Sequence, residues 1–202
     1  MANVRKLHNH ESDLIGRIIA DGFADDAVNL WAFNGGGAMQ PAFTTMAKHL
    51  FLPKGFGHCT EDGLAGTLWL PPGTTKTYGT GNLSLVYSIL RYGGLTGIRH
   101  SLAIDCFMTT NRKGRPPHYY LFAIAVTPRL QGKGIGGVLM REALREVDRS
   151  GLPAYLENSK RENIAFYQNH GFEVEREVTP APGCPPMWLM WRPARGSEPA
   201  SV

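Results

Sequence analysis

The sequence predicts one domain of the α/β (α+β) class, with helices flanking a mixed sheet. An apolar run over residues 121–126 stops at Pro128, and a glycine-rich loop then leads into a stretch with apolar residues at helical spacing. Upstream, two extended runs flank Asp62-Gly63, which is typical of a β-hairpin. A chain of 202 residues, 43% of them hydrophobic, can bury one core. We expect this domain to cover residues 1–193 and a disordered tail to cover 194–202, which are small, polar and proline-containing.

The first half reads as a strand, two helices, a hairpin and two further helical stretches. Ser12 or Asp13 is expected to begin a helix that runs to about Asn34, and the three glycines that follow break it. Pro71-Pro72-Gly73 ends the hairpin. The predicted ranges are strand 3–7, helices 12–34 and 42–52, strands 57–61 and 64–70, and helical stretches 83–92 and 95–109.

The second half reads as strand, loop, helix, strand, short helix and two more strands. The central strand ends at Val126, and the next strand is Ala154–Glu157. Ser159 and Glu162 have the spacing of a capping box for the short helix, and Gly171 is placed to end it.

Composition argues against several classes of protein. The first fifteen residues are polar and charged, and no apolar run approaches the roughly 18 residues of a membrane span, so we expect a cytoplasmic protein with no membrane partner. Three widely spaced cysteines without C-x-x-C suit reduced thiols. The sequence contains neither an H-E-x-x-H pattern nor a Cys/His cluster, so it does not predict a metal site. The net charge of +4 is small and the basic residues are not clustered, so the sequence does not predict a nucleic-acid partner.

The glycine-rich loop predicts an anion site. A strand that passes into a helix through glycines leaves the first amide N–H groups of the helix unpaired, at the positive end of its dipole. Gly132, Gly134 and Gly136 carry no side chains, so a phosphate can approach the backbone closely. The loop therefore predicts a nucleotide or pyrophosphate binder.

Two patterns fit the same glycines. Gly132, Gly134 and Gly137 satisfy G-x-G-x-x-G, and Glu157 follows about twenty residues later, as in dinucleotide-binding folds. Five residues separate Val126 from the first glycine, however, and the 65 residues after Gly137 cannot hold a second βαβ half. No P-loop pattern is present.

The second pattern is Gln131-x-x-Gly134-x-Gly136, and with it the segment from Tyr119 to Arg192 resembles the GNAT superfamily of N-acetyltransferases. Asn163-x-x-Phe-Tyr167 followed by a Gly-Phe turn is similar to a second signature of that superfamily. Within the superfamily the segment is most similar to puromycin N-acetyltransferase-like members, which share the L-E-x-S, N-x-x-F-Y and G-F elements. The resemblance covers about the last 75 residues.

This resemblance implies a mostly antiparallel sheet whose central strand splays from its neighbour, and acetyl-coenzyme A as the acetyl donor. It assigns Tyr167 as the acid that protonates the departing thiolate, a role that suits a phenol. No acyl-enzyme is implied, so no cysteine need act as a nucleophile. The implied cofactor-binding residues are the strand positions Ala125 and Val126, the loop residues Gln131, Gly132, Lys133, Gly134, Ile135, Gly136 and Gly137, and Asn163.

The general base and the acceptor stay open at this point. Glu157, at the end of a strand beside the cofactor, is preferred as the base, with His118 or a water chain as alternatives. Alternation along the central strand puts His118, Tyr120, Phe122 and Ile124 on one face, which the family would turn toward the acceptor.

The leading function is acetyl transfer to a small-molecule amine by a monomer or homodimer. The aromatic first half and the lack of an acidic cluster favour an apolar or aromatic amine over a strongly basic one. The alternative is a non-catalytic acyl-CoA-binding or regulatory domain, and a dinucleotide oxidoreductase is a distant third.

Overall fold

The computed structural model describes residues 3–195 as one seven-stranded, mostly antiparallel sheet with helices on both faces. The strand order is β1-β2-β3-β4-β5-β7-β6, and only β4 and β5 run parallel. This confirms the predicted fold class. The strands are β1 Val4–Lys6, β2 Phe56–Thr60, β3 Ala65–Leu70, β4 Tyr119–Val126, β5 Ala154–Asn158, β6 Glu173–Val178 and β7 Met187–Arg192.

The helices fall into two layers around this sheet. They are α1 Ser12–Gly22, α2 Ala27–Phe33, α3 Met39–Met46, α4 Leu52–Lys54, α5 Gly81–Arg112, α6 Ile135–Arg149 and α7 Ile164–Gln168, and a π-helical turn, Ala47–Phe51, joins α3 to α4. Apolar residues of α1 and α3 pack on one face of β3 and β4, whereas those of α6 and α7 pack on the other. Among the described residues, no helix is both long and apolar enough to cross a bilayer. The predicted tail lies mostly outside the described residues, and Ala194 and Arg195 follow β7 without regular structure.

The predicted helix over 12–34 is wrong in its continuity, because it is two helices. α1 ends at Gly22, where a Cβ atom would stand 2.8 Å from the Cβ of Ala125 in β4. Asp26 then caps α2 by accepting a hydrogen bond from the amide of Asn29 at 2.8 Å. The predicted break after α2 is confirmed, since Asn34 has φ of 53°.

The two helical stretches predicted after the hairpin are confirmed. α5 is interrupted at Gly94, whose backbone (φ 64°, ψ −163°) is not helical. A left-handed residue without a Cβ is what allows the chain to change direction there.

The predicted capping box is wrong. Ser159 does not cap the short helix, because its hydroxyl instead donates to Asp26 Oδ2 at 2.5 Å, across 133 positions of sequence. A 3₁₀ turn, Arg161–Asn163, leads into α7. The prediction that Gly171 ends the short helix agrees with the structure more closely. Gly171 has φ of 85° just after α7, and its amide donates to Gln168 O at 2.9 Å.

A β-bulge changes the faces of the central strand. Trp69 pairs with Leu121 and Leu68 with Ala123, which leaves Phe122 as an extra residue in β4. Tyr120 and Phe122 therefore pack against the α1 and α3 side, but Ile124 packs against the α6 side. The prediction that Ile124 shares a face with Tyr120 and Phe122 is wrong for this reason.

Candidate active site

The site lies where β4 and β5 separate. The two strands pair only at Tyr119 with Ala154 and at Tyr120 with Tyr155. Beyond these pairs, β5 stays hydrogen-bonded to β7 and β4 to β3, so the edges of β4 and β5 that face each other have no strand partner. The splay expected from the resemblance is thus present, and a cavity of about 460 Å³ opens beside it, lined by residues 121–124 and 156–159.

The glycine-rich loop follows β4 directly. A single 3₁₀ turn, Pro128–Leu130, connects the strand to the loop, and the Gln131 side chain donates to Val126 O at 3.0 Å. Gly134 is the residue before α6, with φ of 78°, and Gly132 has φ of 74°. A Cβ at either glycine would meet no atom within 4 Å. Only glycine takes this backbone conformation without strain, and the space in front of it is open.

The first turn of α6 presents free donors to that space. Within the part of the chain that the structure describes, the amides of Gly134, Ile135 and Gly136 donate to no backbone carbonyl. α6 has 15 residues, so its dipole adds positive potential at the same end. Gly136 lies against Phe166, where a Cβ atom would stand 3.5 Å from the ring, and Gly137 lies near the guanidinium of Arg141. This end of α6 has the open backbone and the charge that an anionic ligand requires.

Tyr167 reaches the cavity from α7. Its side chain is 8% exposed, packs against Phe166 and Phe172, and lines the cavity together with Asn163. Burial raises the pKa of the Tyr167 phenol well above its ordinary value of 10, and the nearby Asp26 carboxylate acts in the same direction. The phenol therefore keeps its proton at neutral pH.

The link between β5 and α7 is anchored to the link between α1 and α2. Besides the Ser159–Asp26 hydrogen bond, Lys160 forms an ion pair with Asp25 at 2.6 Å. Asn158 closes the turn by donating from Nδ2 to Lys160 O at 2.7 Å. These contacts fix the start of the segment that carries Asn163 and Tyr167.

Glu157 faces the same cavity from β5. Both of its carboxylate oxygens are shielded from solvent and have no hydrogen-bond partner among the described residues. Burial raises the pKa of Glu157, while Arg112 and the hydroxyl groups of Tyr120 and Tyr155 act against that rise. A buried carboxyl group whose oxygens are free is able to take a proton from a bound molecule.

His118 is not part of this arrangement. Its Nδ1 lies 2.7 Å from Pro116 O, and its ring packs against Tyr155 and Trp191. It does not line the cavity, and burial lowers its pKa. Of the two candidate bases, the structure brings only Glu157 to the cavity that Tyr167 lines.

One pair of residues that lines the cavity is not indicated by any sequence motif. Lys76, in the irregular segment after β3, forms an ion pair with Asp105 of α5, and both line the cavity. The two residues are 29 positions apart and belong to no motif, so no sequence signal connects them. Among the described residues, no group of His, Cys, Asp and Glu is arranged to hold a metal ion.

Comparison with known proteins agrees with this geometry. Residues 84–172 match the model of the acetyltransferase (GNAT) family. The chain is 28% identical over 127 residues to an uncharacterized N-acetyltransferase of Schizosaccharomyces pombe, an alignment that covers 55% of this chain and 48% of that protein. It thus spans about half the length of that curated relative.

Two solved structures have the same fold. One, described as histone acetyltransferase HPA2 and related acetyltransferase from Corynebacterium glutamicum, superposes with a TM-score of 0.70 at 17% identity and covers 98% of this chain and 100% of the other. A polyamine N-acetyltransferase of Drosophila melanogaster gives a TM-score of 0.62 at 15% identity, covering 95% and 99%. At these identities the likeness extends to the fold alone. The splayed strands and the glycine loop before α6 thus accompany a match over residues 84–172, by which this part of the chain is similar to the acetyltransferase (GNAT) family.

Proposed function

We propose that this protein is an acetyl-CoA-dependent N-acetyltransferase that moves an acetyl group directly to a small-molecule amine within a ternary complex. The observation that carries the proposal is that Glu157 and Tyr167 line one cavity beside the splay of β4 and β5. We further propose that the activity resides in a single domain, residues 1–193.

The described residues fit acetyl-CoA on three observations. The unpaired edge of β4, including Ala125 and Val126, offers backbone groups to an extended amide-bearing arm. The open glycine backbone at Gly132 and Gly134, with the first amides of α6, suits a pyrophosphate. The cavity between these features and α7 leaves room for an acceptor. When bound, acetyl-CoA supplies the acetyl group as a thioester, which an amine can attack only in its neutral form.

We assign the two proton transfers to this chain's own side chains. Glu157 takes the proton from the incoming ammonium, and its raised pKa brings its proton affinity closer to that of an amine than an exposed glutamate's would be. Tyr167 holds its proton at Oη and gives it to the departing thiolate. Asn163, on the same wall of the cavity, is proposed to contact the pantetheine arm.

The likeness to puromycin N-acetyltransferase-like members supports the same assignment of Tyr167, because the N-x-x-F-Y and G-F elements surround it. It does not give the acceptor, since function resides in the site and not in the fold. For the same reason, the polyamine in the name of the Drosophila protein does not give the acceptor of this chain.

A binding measurement followed by an acceptor screen tests the proposal. Calorimetry with acetyl-CoA and with NADH should give binding for acetyl-CoA only. Thiol release should then appear with some members of an amine library and not with buffer alone. Tight acetyl-CoA binding without thiol release for any amine would favour the alternative, a non-catalytic acyl-CoA-binding domain.

A further inference from the structure

Most of the wall of the acceptor cavity is apolar, and the polar side chains that also line it, such as Asn29, Asn82 and Ser101, are uncharged. α2, α3, α5 and β4 surround most of it, and the residues that face it are largely aromatic and aliphatic. Six of them are Phe23, Phe33, Phe43, Met46, Leu85 and Ile89. Covering the apolar surface of a ligand with such a wall is favourable by about 25 cal/mol per Å². Apolar side chains cannot replace the water that a charged group loses when it enters the cavity.

Three charged side chains among the described residues line the cavity, and two of them neutralise each other. Lys76 and Asp105 form an ion pair that joins the segment after β3 to α5. The Lys76 side chain is only 13% exposed, so its ammonium group is held at this position. Glu157 is then the charged group in the cavity whose oxygens have no partner.

Two exposed apolar residues of α5 also line the cavity. Val86 and Leu102, both on α5, line the cavity and are 51% and 64% exposed. A ligand longer than the cavity can therefore leave it along apolar surface, without meeting an unpaired carboxylate.

On the basis of the proposed function, we infer that the acceptor carries a single ammonium group on an aromatic or alkyl body. In this inference Lys76 determines the specificity, because its ion pair with Asp105 keeps that carboxylate from binding a second ammonium group. The ammonium group meets Glu157, and the body of the ligand covers the apolar wall. A second ammonium held inside the cavity would have no free anion to pair with, which is costly. Diamines and polyamines are disfavoured for this reason.

The test compares each alkyl monoamine with the α,ω-diamine of the same length, over a series of chain lengths. For chain lengths that keep both ends inside the cavity, we expect kcat/KM of the wild-type protein to favour the monoamine by more than about tenfold, since an uncompensated buried charge costs at least about 1.4 kcal/mol. Lys76→Met frees Asp105 and should raise the diamine-to-monoamine ratio about two- to fivefold, as for a partly exposed charge pair. Adding Asp105→Asn should return the ratio to the wild-type value.

The diamine-to-monoamine ratio is measured in preference to either rate alone, because Lys76 also lowers the pKa of Glu157. A change in that pKa alters both rates alike and cancels in the ratio. Lys54→Met, an exposed lysine of α4 away from the cavity, serves as the matched control and should leave both rates unchanged.

Three results would be decisive against these assignments. A wild-type protein that acetylates diamines as well as monoamines contradicts the inferred substrate class, while leaving the acetyltransferase function intact. An unchanged ratio in Lys76→Met at every chain length contradicts the role of Lys76. Acetyl-CoA binding with no acetylation of any amine overturns the proposed function, and this inference with it.

Discussion

The hydroxyl group of Ser159 donates a hydrogen bond of 2.5 Å to the buried carboxylate of Asp26, and this contact joins the β5–α7 link to the start of α2. Asp26 is 1% exposed and also accepts from the backbone and side-chain amides of Asn29, at 2.8 and 2.9 Å. The carboxylate therefore holds together two segments that both line the cavity. Tyr167 follows Ser159 on the segment that this contact ties to α2.

Ser159→Ala should lower the free energy of unfolding by about 1–3 kcal/mol, because it removes a hydrogen bond to a buried charged group. Ser88→Ala is the matched control. Ser88 is buried, whereas Ser159 is half-buried, but Ser88 donates only to Ser84 O within α5, a local bond whose loss should cost less than about 0.5 kcal/mol. Urea unfolding of both variants makes the comparison, and equal losses would show that the Ser159–Asp26 contact adds no stability.

Gly134→Ala should weaken acetyl-CoA binding by more than about tenfold, since the new methyl group projects into the open space before α6 that we assign to the pyrophosphate. Gly151→Ala is a control for backbone strain. Both glycines have positive φ, 78° and 66°, and open space around a Cβ, so each substitution should cost about 1 kcal/mol of stability. Calorimetry should find acetyl-CoA affinity lowered only in Gly134→Ala; normal affinity there would remove the loop from the binding site.

Tyr167→Phe should retain acetyl-CoA affinity and lose about 10²–10⁴-fold in kcat, the range typical of a lost general acid. Tyr87→Phe removes the same hydroxyl from a residue of α5 that is 68% exposed and does not line the cavity, and it should keep the wild-type rate. If Tyr167→Phe turns over within about threefold of wild type, Tyr167 only packs the core and water protonates the thiolate.

Glu157→Gln should abolish the acidic limb of the kcat/KM profile, because Glu157 accepts a proton only when ionised and its pKa is raised by burial. His118→Gln should keep that limb, since His118 does not face the cavity. The opposite pattern would make His118 the base, and two wild-type profiles would mean that the limb reports the substrate amine.

The same substitution has a consequence for stability that needs no substrate. A carboxyl group with a raised pKa in the folded state favours folding in its protonated form, so the wild-type protein loses stability as pH rises from about 4.5 through the raised pKa. Glu157→Gln lacks this loss. It should match wild type in acid and exceed it in stability at neutral pH, as measured by urea unfolding at several pH values. A gap that is constant with pH would contradict the raised pKa.

Local sequence signals predicted the glycine loop and α6 correctly, because the glycines and the apolar spacing act within one turn of the chain. The capping box failed for a physical reason. Ser159 has a better acceptor in Asp26, which is brought near only by folding. Likewise, β4 approaches position 22 so closely that a side chain there would meet Ala125, and nothing in the local sequence reports that contact.

The faces of β4 illustrate a second limit. Alternation is reliable only in a strand without irregularities, and the bulge at Phe122 reverses it for Ile124. The pairing of Lys76 with Asp105 was equally invisible, because an ion pair between an irregular segment and a distant helix has no periodicity to reveal it. Glu157 could be named as a candidate base because the resemblance implies that β5 lies beside the cofactor, and its role stays a prediction.

Mass spectrometry under turnover can test whether the acetyl group passes directly from acetyl-CoA to an amine in this cavity. With an alkyl or arylalkyl monoamine present, we expect one N-acetylated amine for each thiol released, and no acetyl group on the intact protein when the amine is left out. Thiol release without an acetylated amine, or an acetylated protein that passes its group on to the amine, would contradict this expectation.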